Sequence, residues 1–176
     1  MTPEECKLLA ETGKGTSMGE LLRRYWMPIA GASELSANPI KPVRLMGEDL
    51  VLYRDRSGGY GLVARKCSHR GADLAYGMVE DTGIRCSYHG WKFDQAGACV
   101  EQPYEDITNA NPKSREGCAI AGYPVRALAG LLWAYMGPQP APELPVWAPF
   151  TYENGFREIV TAAIPCNWFQ CQENSI

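Results

Sequence analysis

Hydrophobic and polar positions change rhythm near residue 40. Before that point the spacing is helical. Thr2 can cap a helix whose first position is Pro3 and whose capping-box position is Glu5, which predicts a helix over 3–11 that Gly13 and Gly15 end. Ser17 can cap a second helix from Met18 to Tyr25, with Leu21, Leu22 and Tyr25 on an apolar side expected to dock on a sheet, and Pro28 stopping it. From Val43 the pattern becomes that of strands: Val43–Met46, Leu50–Arg54 and Tyr60–Lys66, separated by Gly47-Glu48-Asp49 and Ser57-Gly58-Gly59, predict a meander. Further strands are predicted at Gly83–Cys86, Trp91–Phe93, Ala98–Glu101, Pro124–Ala127 and Leu131–Met136, with turns at Asp94–Gly97 and Ala129-Gly130. The fold class is therefore mainly β.

Four prolines fall within Gly137–Pro145, too many for a helix or a central strand, so this stretch reads as an extended connector and a domain boundary. Beyond it Phe156–Ile164 reads as a strand and Cys166–Glu173 as the start of a helix, too little to close a second core. The expected division is a helical extension at 1–40, a β domain at 41–140, and at 141–176 a linker with the truncated start of a further domain.

With 45% apolar and 21% charged residues, the 176-residue chain has the composition of a soluble globular protein. Its 17 basic and 20 acidic residues form no run or patch, which argues against nucleic-acid or membrane binding. No stretch has the length of a membrane span, and the N-terminus, with Glu4, Glu5 and Lys7, lacks the order of a signal peptide, so a cytoplasmic protein is expected. Seven cysteines without framework spacing suit thiols that bind metal or pack as small hydrophobes, not disulfides.

The chemistry lies in two short segments. Cys67-Ser-His69-Arg-Gly71 and Cys86-Ser-Tyr-His89-Gly-Trp91 each follow a predicted strand, and they contain the chain's only two histidines. Three readings are open. Two buried cysteines and two satisfied histidines would leave the flanking glycines unexplained, since glycines suit tight metal loops. Zinc takes two Cys and two His, but usually keeps like ligands together as Cys-x-x-Cys and His-x-x-x-His. A two-iron cluster in which each loop gives one thiolate to an inner iron and one imidazole to an outer iron needs the arrangement seen, one ligand of each kind per loop. Cys6, Cys99, Cys118, Cys166 and Cys171 have no partner spacing and read as structural or incidental.

Cys67-x-His69 with Cys86-x-x-His89 resembles the Rieske motif, in the form found in ring-hydroxylating oxygenases. The respiratory and photosynthetic Rieske proteins add a further cysteine in each loop, where Ala72 and Tyr88 stand here. The resemblance implies a Rieske-type antiparallel β sandwich holding a [2Fe–2S] cluster on Cys67, His69, Cys86 and His89. Arg70, Tyr88 and Trp91 are candidates for supporting it, Trp91 as a cover against solvent. With Trp91 where a further hydrogen-bonding serine would stand, a potential toward the low end of the Rieske range, about −150 to +300 mV, is expected.

The flanks extend the resemblance. Leu21-Leu-Arg-Arg-Tyr-Trp-Met-Pro-Ile29, followed by Ala30–Leu35, is similar to the N-terminal part of phthalate-dioxygenase-like oxygenases and aromatic demethylases. Cys166–Ile176 resembles the family's Asn-Trp-x-Gln-x-x-Glu-Asn approach to a catalytic helix. This implies a terminal oxygenase (alpha) component whose α+β catalytic domain would hold a mononuclear non-haem Fe(II) on two histidines and a carboxylate, none of them in this chain. It also implies an NADH-dependent flavin and iron–sulfur reductase as electron donor, O2 and an aromatic substrate, with an aromatic carboxylate the leading guess, and a homo-trimer. The alternative, a stand-alone Rieske ferredoxin-like carrier, would need little beyond Val43–Met136.

Overall fold

The computed structural model describes residues 2–108 and 115–174. Helix α1 (Pro3–Ala10) has the expected capping box: Thr2 Oγ1 accepts from the Glu5 amide and Glu5 accepts from the Thr2 amide. Helix α2 (Ser17–Leu22) is capped by Thr16 rather than Ser17, and it ends three residues earlier than expected. Leu22 packs inward, but Leu21 and Tyr25 are exposed. The chain turns at Arg23 because its guanidinium is drawn inward, where it donates to the Met46 carbonyl and pairs with Glu48 at 2.6 Å.

Eleven strands are described in three antiparallel sheets. The central sheet has the order β2 (Ile40–Leu45), β3 (Glu48–Arg54), β4 (Tyr60–Ala64) and β9 (Gly122–Tyr123). Its first three strands are the predicted meander. The β2–β3 turn is two residues long, with Met46 at φ 48° and Gly47 at φ 78°, the doubly left-handed turn that suits the twist of a hairpin. A second sheet has the order β1 (Met27–Gly31), β11 (Leu131–Ala134) and β10 (Val125–Leu128). The third, the cluster sheet, consists of β5 (Met78–Val79), β6 (Ile84–Arg85), β7 (Lys92–Phe93) and β8 (Cys99–Glu101); its β6–β7 connection is the second candidate metal loop, and the first follows β4.

The central sheet is buried on both faces, which is why Leu50–Tyr53 reads as an unbroken apolar run. Val51, Tyr53 and Val63 pack on one side against Leu74, Ile84, Trp91 and Phe93. Leu50, Leu52 and Leu62 pack on the other against Ala30, Leu132 and Ala134 of the second sheet. On that sheet's far side Trp26, Trp133, Tyr135 and Leu144 form a third cluster. The proline-rich stretch is neither helix nor strand, as expected, but it bends over 137–140 rather than running extended throughout, and it is tied down where Trp26 Nε1 donates to the Pro142 carbonyl at 2.9 Å.

Several elements differ from expectation. Pro28 stops no helix but sits inside β1, an edge strand, where a missing N–H is tolerated. Helices α3 (Glu34–Ala37) and α4 (Pro103–Thr108) and strand β5 were not predicted, being too short to show a period. The predicted strand at Phe156–Ile164 has no regular structure. It pairs with no strand among the described residues, and Phe156 and Val160 are 90% and 84% exposed. Helix α5 (Trp168–Glu173) is present, capped by Asn167. No helix among the described residues is long and apolar enough to cross a membrane.

Candidate metal centre

The two segments fold into loops with the same hydrogen-bond frame. In loop 1 the Cys67 amide donates to the Ala72 carbonyl at 2.9 Å, and the Gly71 amide donates back to the Cys67 carbonyl at 2.9 Å. In loop 2 the Cys86 amide donates to Trp91 at 2.8 Å and the Gly90 amide to Cys86 at 3.0 Å. The glycine four positions after each cysteine has positive φ, 67° at Gly71 and 78° at Gly90, where a side chain would be strained. Each frame hangs from the cluster sheet or from the end of β4, so sheet packing brings the loop tips together.

The four side chains meet as two like pairs. Cys67 and Cys86, each 3% exposed, face one another at the base. Burial pushes the Cys67 thiol up to about 11, the neighbouring Cys86 sulfur adds to this, and the backbone N–H groups of His69 and Arg70 oppose it by donating to the Cys67 sulfur. Buried thiols of this kind keep their protons until a metal cation takes their place. His69 and His89 lie edge to face, 4.7 Å between ring centroids. His89 Nδ1 is buried without a hydrogen-bond partner, an unusual position for a ring nitrogen unless its lone pair is reserved for a metal.

This arrangement fits a two-iron cluster better than one ion. The thiols pair with each other and the imidazoles with each other, whereas a tetrahedral zinc would draw all four to one point. A [2Fe–2S] cluster asks each iron for only two protein ligands, one pair of thiolates and one pair of imidazoles.

Of the supporting candidates, Trp91 is buried and stacks on His69, with centroids 4.6 Å apart and planes within 9°. Tyr88 leans over His89 at 3.7 Å but is 64% exposed. Arg70 is exposed and makes no ion pair among the described residues. Ser68 donates to the Cys118 carbonyl, which pins loop 1. Cys99 and Cys118 pack into the core beneath the loops, as structural thiols should. Cys166 and Cys171 depart from expectation, for their sulfurs stand 3.3 Å apart. They occupy the positions flanking the first turn of α5 where a hydrophobic staple normally sits, a pairing five residues apart that only the helix cap creates. Sequence reading also passed over Arg85, whose guanidinium donates to the Gly90 carbonyl at 2.6 Å. Its only signal was a charge beside a ligand cysteine.

Comparison with known proteins matches the Rieske [2Fe-2S] domain over residues 25–113. The whole chain is 61% identical to the oxygenase subunit of 5,5'-dehydrodivanillate O-demethylase from Sphingobium, and 43% identical to that of tert-butanol monooxygenase / tert-amyl alcohol desaturase from Aquincola tertiaricarbonis. It spans 42% and 37% of their lengths, respectively. Among solved structures, the QL mutant of NdmA from Pseudomonas putida with theobromine superposes with a TM-score of 0.63 at 28% identity, over 75% of this chain and 40% of that one. Motif, paired-ligand geometry and domain match agree, and the chain belongs to the Rieske [2Fe-2S] domain family.

Proposed function

We propose that this chain is the electron-storing portion of a Rieske terminal oxygenase, with Cys67 and Cys86 binding the inner iron and His69 and His89 the outer. The observation that carries the reading is the pair of matched loops that sets two buried thiols beneath two imidazoles, one of them with an unpartnered inward nitrogen. The choice of an oxygenase over a stand-alone ferredoxin rests on similarity to oxygenase subunits along the whole chain, flanks included, beyond the 25–113 that the domain itself occupies.

The bound cluster would accept and return one electron at a time. The protein's part is to hold it. The thiols would surrender their protons on binding, and the amides of His69 and Arg70, which donate to the Cys67 sulfur, would ease the added negative charge there. Trp91 keeps water off the His69 ring, whereas Tyr88 covers His89 from the solvent side. With Nδ1 of His89 turned inward, Nε2 is the nitrogen left to hydrogen-bond a partner.

Residues 41–140 would form the Rieske domain, with 1–40 as its helical extension and 141–176 leading into a catalytic domain. There a mononuclear non-haem Fe(II), held by two histidines and a carboxylate, would use O2 to hydroxylate or demethylate the substrate. Electrons would come from an NADH-dependent flavin and iron–sulfur reductase, in the cytoplasm, and the full protein would be a homo-trimer. An aromatic substrate, with an aromatic carboxylate first, follows the dehydrodivanillate relative; the tert-butanol relative makes an aliphatic alcohol the competing class.

Iron, acid-labile sulfide and zinc assayed together with the electron paramagnetic resonance (EPR) spectrum test the centre. Two irons and two sulfides per chain are expected, and zinc without sulfide would refute it. Substrate-dependent O2 uptake by the full-length protein with a reductase tests the oxygenase; electron transfer without any such uptake would favour the carrier.

A further inference from the structure

The outward face of the cluster sheet carries four charges that ligand binding does not use. Arg85 on β6 stands opposite Lys92 on β7, and Lys92 stands opposite Glu101 on β8. Two like charges side by side repel, so this face needs carboxylates to be stable. Glu80, just past β5, and Glu101 supply them. Arg85 donates through Nε and Nη2 to both oxygens of Glu80, and through Nη2 to Glu101. Lys92 Nζ lies 3.2 Å from a carboxylate oxygen of each. The quartet is neutral, with Arg85 and Lys92 largely covered and Glu80 and Glu101 partly open to solvent.

Those pairings leave Nη1 of Arg85 available, and it donates to the Gly90 carbonyl at 2.6 Å. Gly90 follows His89 and is the left-handed corner of loop 2. Among the described residues loop 1 has no equivalent guanidinium brace: Arg65 spends its guanidinium on Asp73 at 2.7–2.9 Å. A planar guanidinium with five donors can join two carboxylates and a carbonyl at once, which an ammonium cannot do with the same directions.

We infer that Arg85 is a positioning residue: clamped by Glu80 and Glu101, it fixes the peptide after His89 and so holds the outer-iron imidazole of loop 2 in one orientation. The inference rests on the cluster reading above.

It is tested on cluster-loaded full-length protein, comparing wild type with Arg85→Lys, Arg85→Gln and Glu101→Gln by iron and sulfide content, EPR of the reduced state and midpoint potential. Arg85→Lys keeps the charge and a carboxylate pairing but gives up the bond to Gly90. It should keep two irons and two sulfides while its EPR spectrum broadens into more than one set of g values. Arg85→Gln should broaden the spectrum likewise and lower the potential, because a positive charge that favours the reduced cluster is gone. Glu101→Gln retains the Arg85–Gly90 bond, so its spectrum should stay sharp while its potential rises.

A sharp, wild-type spectrum in Arg85→Lys, with only thermal stability reduced, would overturn the inference and leave Arg85 as a fold-supporting ion pair. If Arg85→Gln fails to fold, the contrast between Arg85→Lys and Glu101→Gln still decides. Absence of a [2Fe–2S] signal in wild type would overturn the cluster reading and this inference together, an outcome separable from a sharp Arg85→Lys spectrum.

Discussion

Loops 67–72 and 86–91 share a backbone frame and a Cys–His pair, and differ in the side chains that tie and cover them. Both close with the same pair of amide–carbonyl bonds and the same left-handed glycine. Loop 1 is tied by a neutral hydroxyl, Ser68 to Cys118, and its histidine lies under buried Trp91. Loop 2 is tied by a charged guanidinium, and its histidine lies under exposed Tyr88. The backbone frame sets where a ligand stands, and the side chains around it set how wet and how charged that ligand's surroundings are. The two imidazoles proposed for one iron therefore stand in chemically unequal surroundings.

The largest effect should come from treating the loops as equals. Cys67→Ala and Cys86→Ala should each reduce iron and sulfide to background, since each would remove one of the inner iron's two protein ligands. Retention of the full cluster in either would break the symmetry at its base.

The covering aromatics should separate sharply. Trp91→Ala removes a buried ring and should cost about 3–5 kcal/mol in urea unfolding. Tyr88→Ala, at an exposed position, should stay within about 0.5 kcal/mol. Equal costs would mean that Tyr88 is buried in solution.

The glycines give a finer contrast. Alanine at Gly71 meets open space and should cost only the left-handed strain, about 1–2 kcal/mol. At Gly90 the new Cβ would also stand 3.1 Å from Pro103 Cγ, adding about 1 kcal/mol. Thermal denaturation of the two variants side by side checks the order.

An effect of similar size concerns acid. Hydrogen bonds from Arg85, and then from Lys92, hold the Glu80 carboxyl well down, at about 2 against an ordinary 4.5. A carboxylate lowered in the folded state contributes stability above its unfolded pKa and loses it as pH falls through the folded value. Glu80→Gln should therefore flatten the stability profile between about pH 4.5 and 2, by about 1–2 kcal/mol after solvent screening. Ser68→Ala in loop 1 should leave that slope unchanged.

Much of this was legible in order along the chain. The Thr2–Glu5 capping box, the Gly47 and Gly130 turns and the meander of β2 to β4 all depend on neighbours a few residues apart, and sequence patterns report such neighbours well. Pro28 misled because a proline that stops a helix can equally sit in an edge strand, and only sheet position decides between them. Phe156–Ile164 misled because apolar and β-branched residues suit a strand without supplying a partner for its backbone. Arg85 on β6, Lys92 on β7 and Glu101 on β8 are scattered along the chain, and only strand register brings them together with Glu80.

By itself, the sequence determined the ligand types, one thiol and one imidazole per loop, and the glycines that let each loop turn. Local chemistry and local backbone geometry suffice for that. Only the tertiary structure decided that the thiols pair beneath the imidazoles, that Trp91 covers His69 while Tyr88 covers His89, and that Arg85 reaches Gly90 with two carboxylates behind it. Those contacts depend on strand register and on how the sheets pack, which are set by the whole core at once rather than by any one segment.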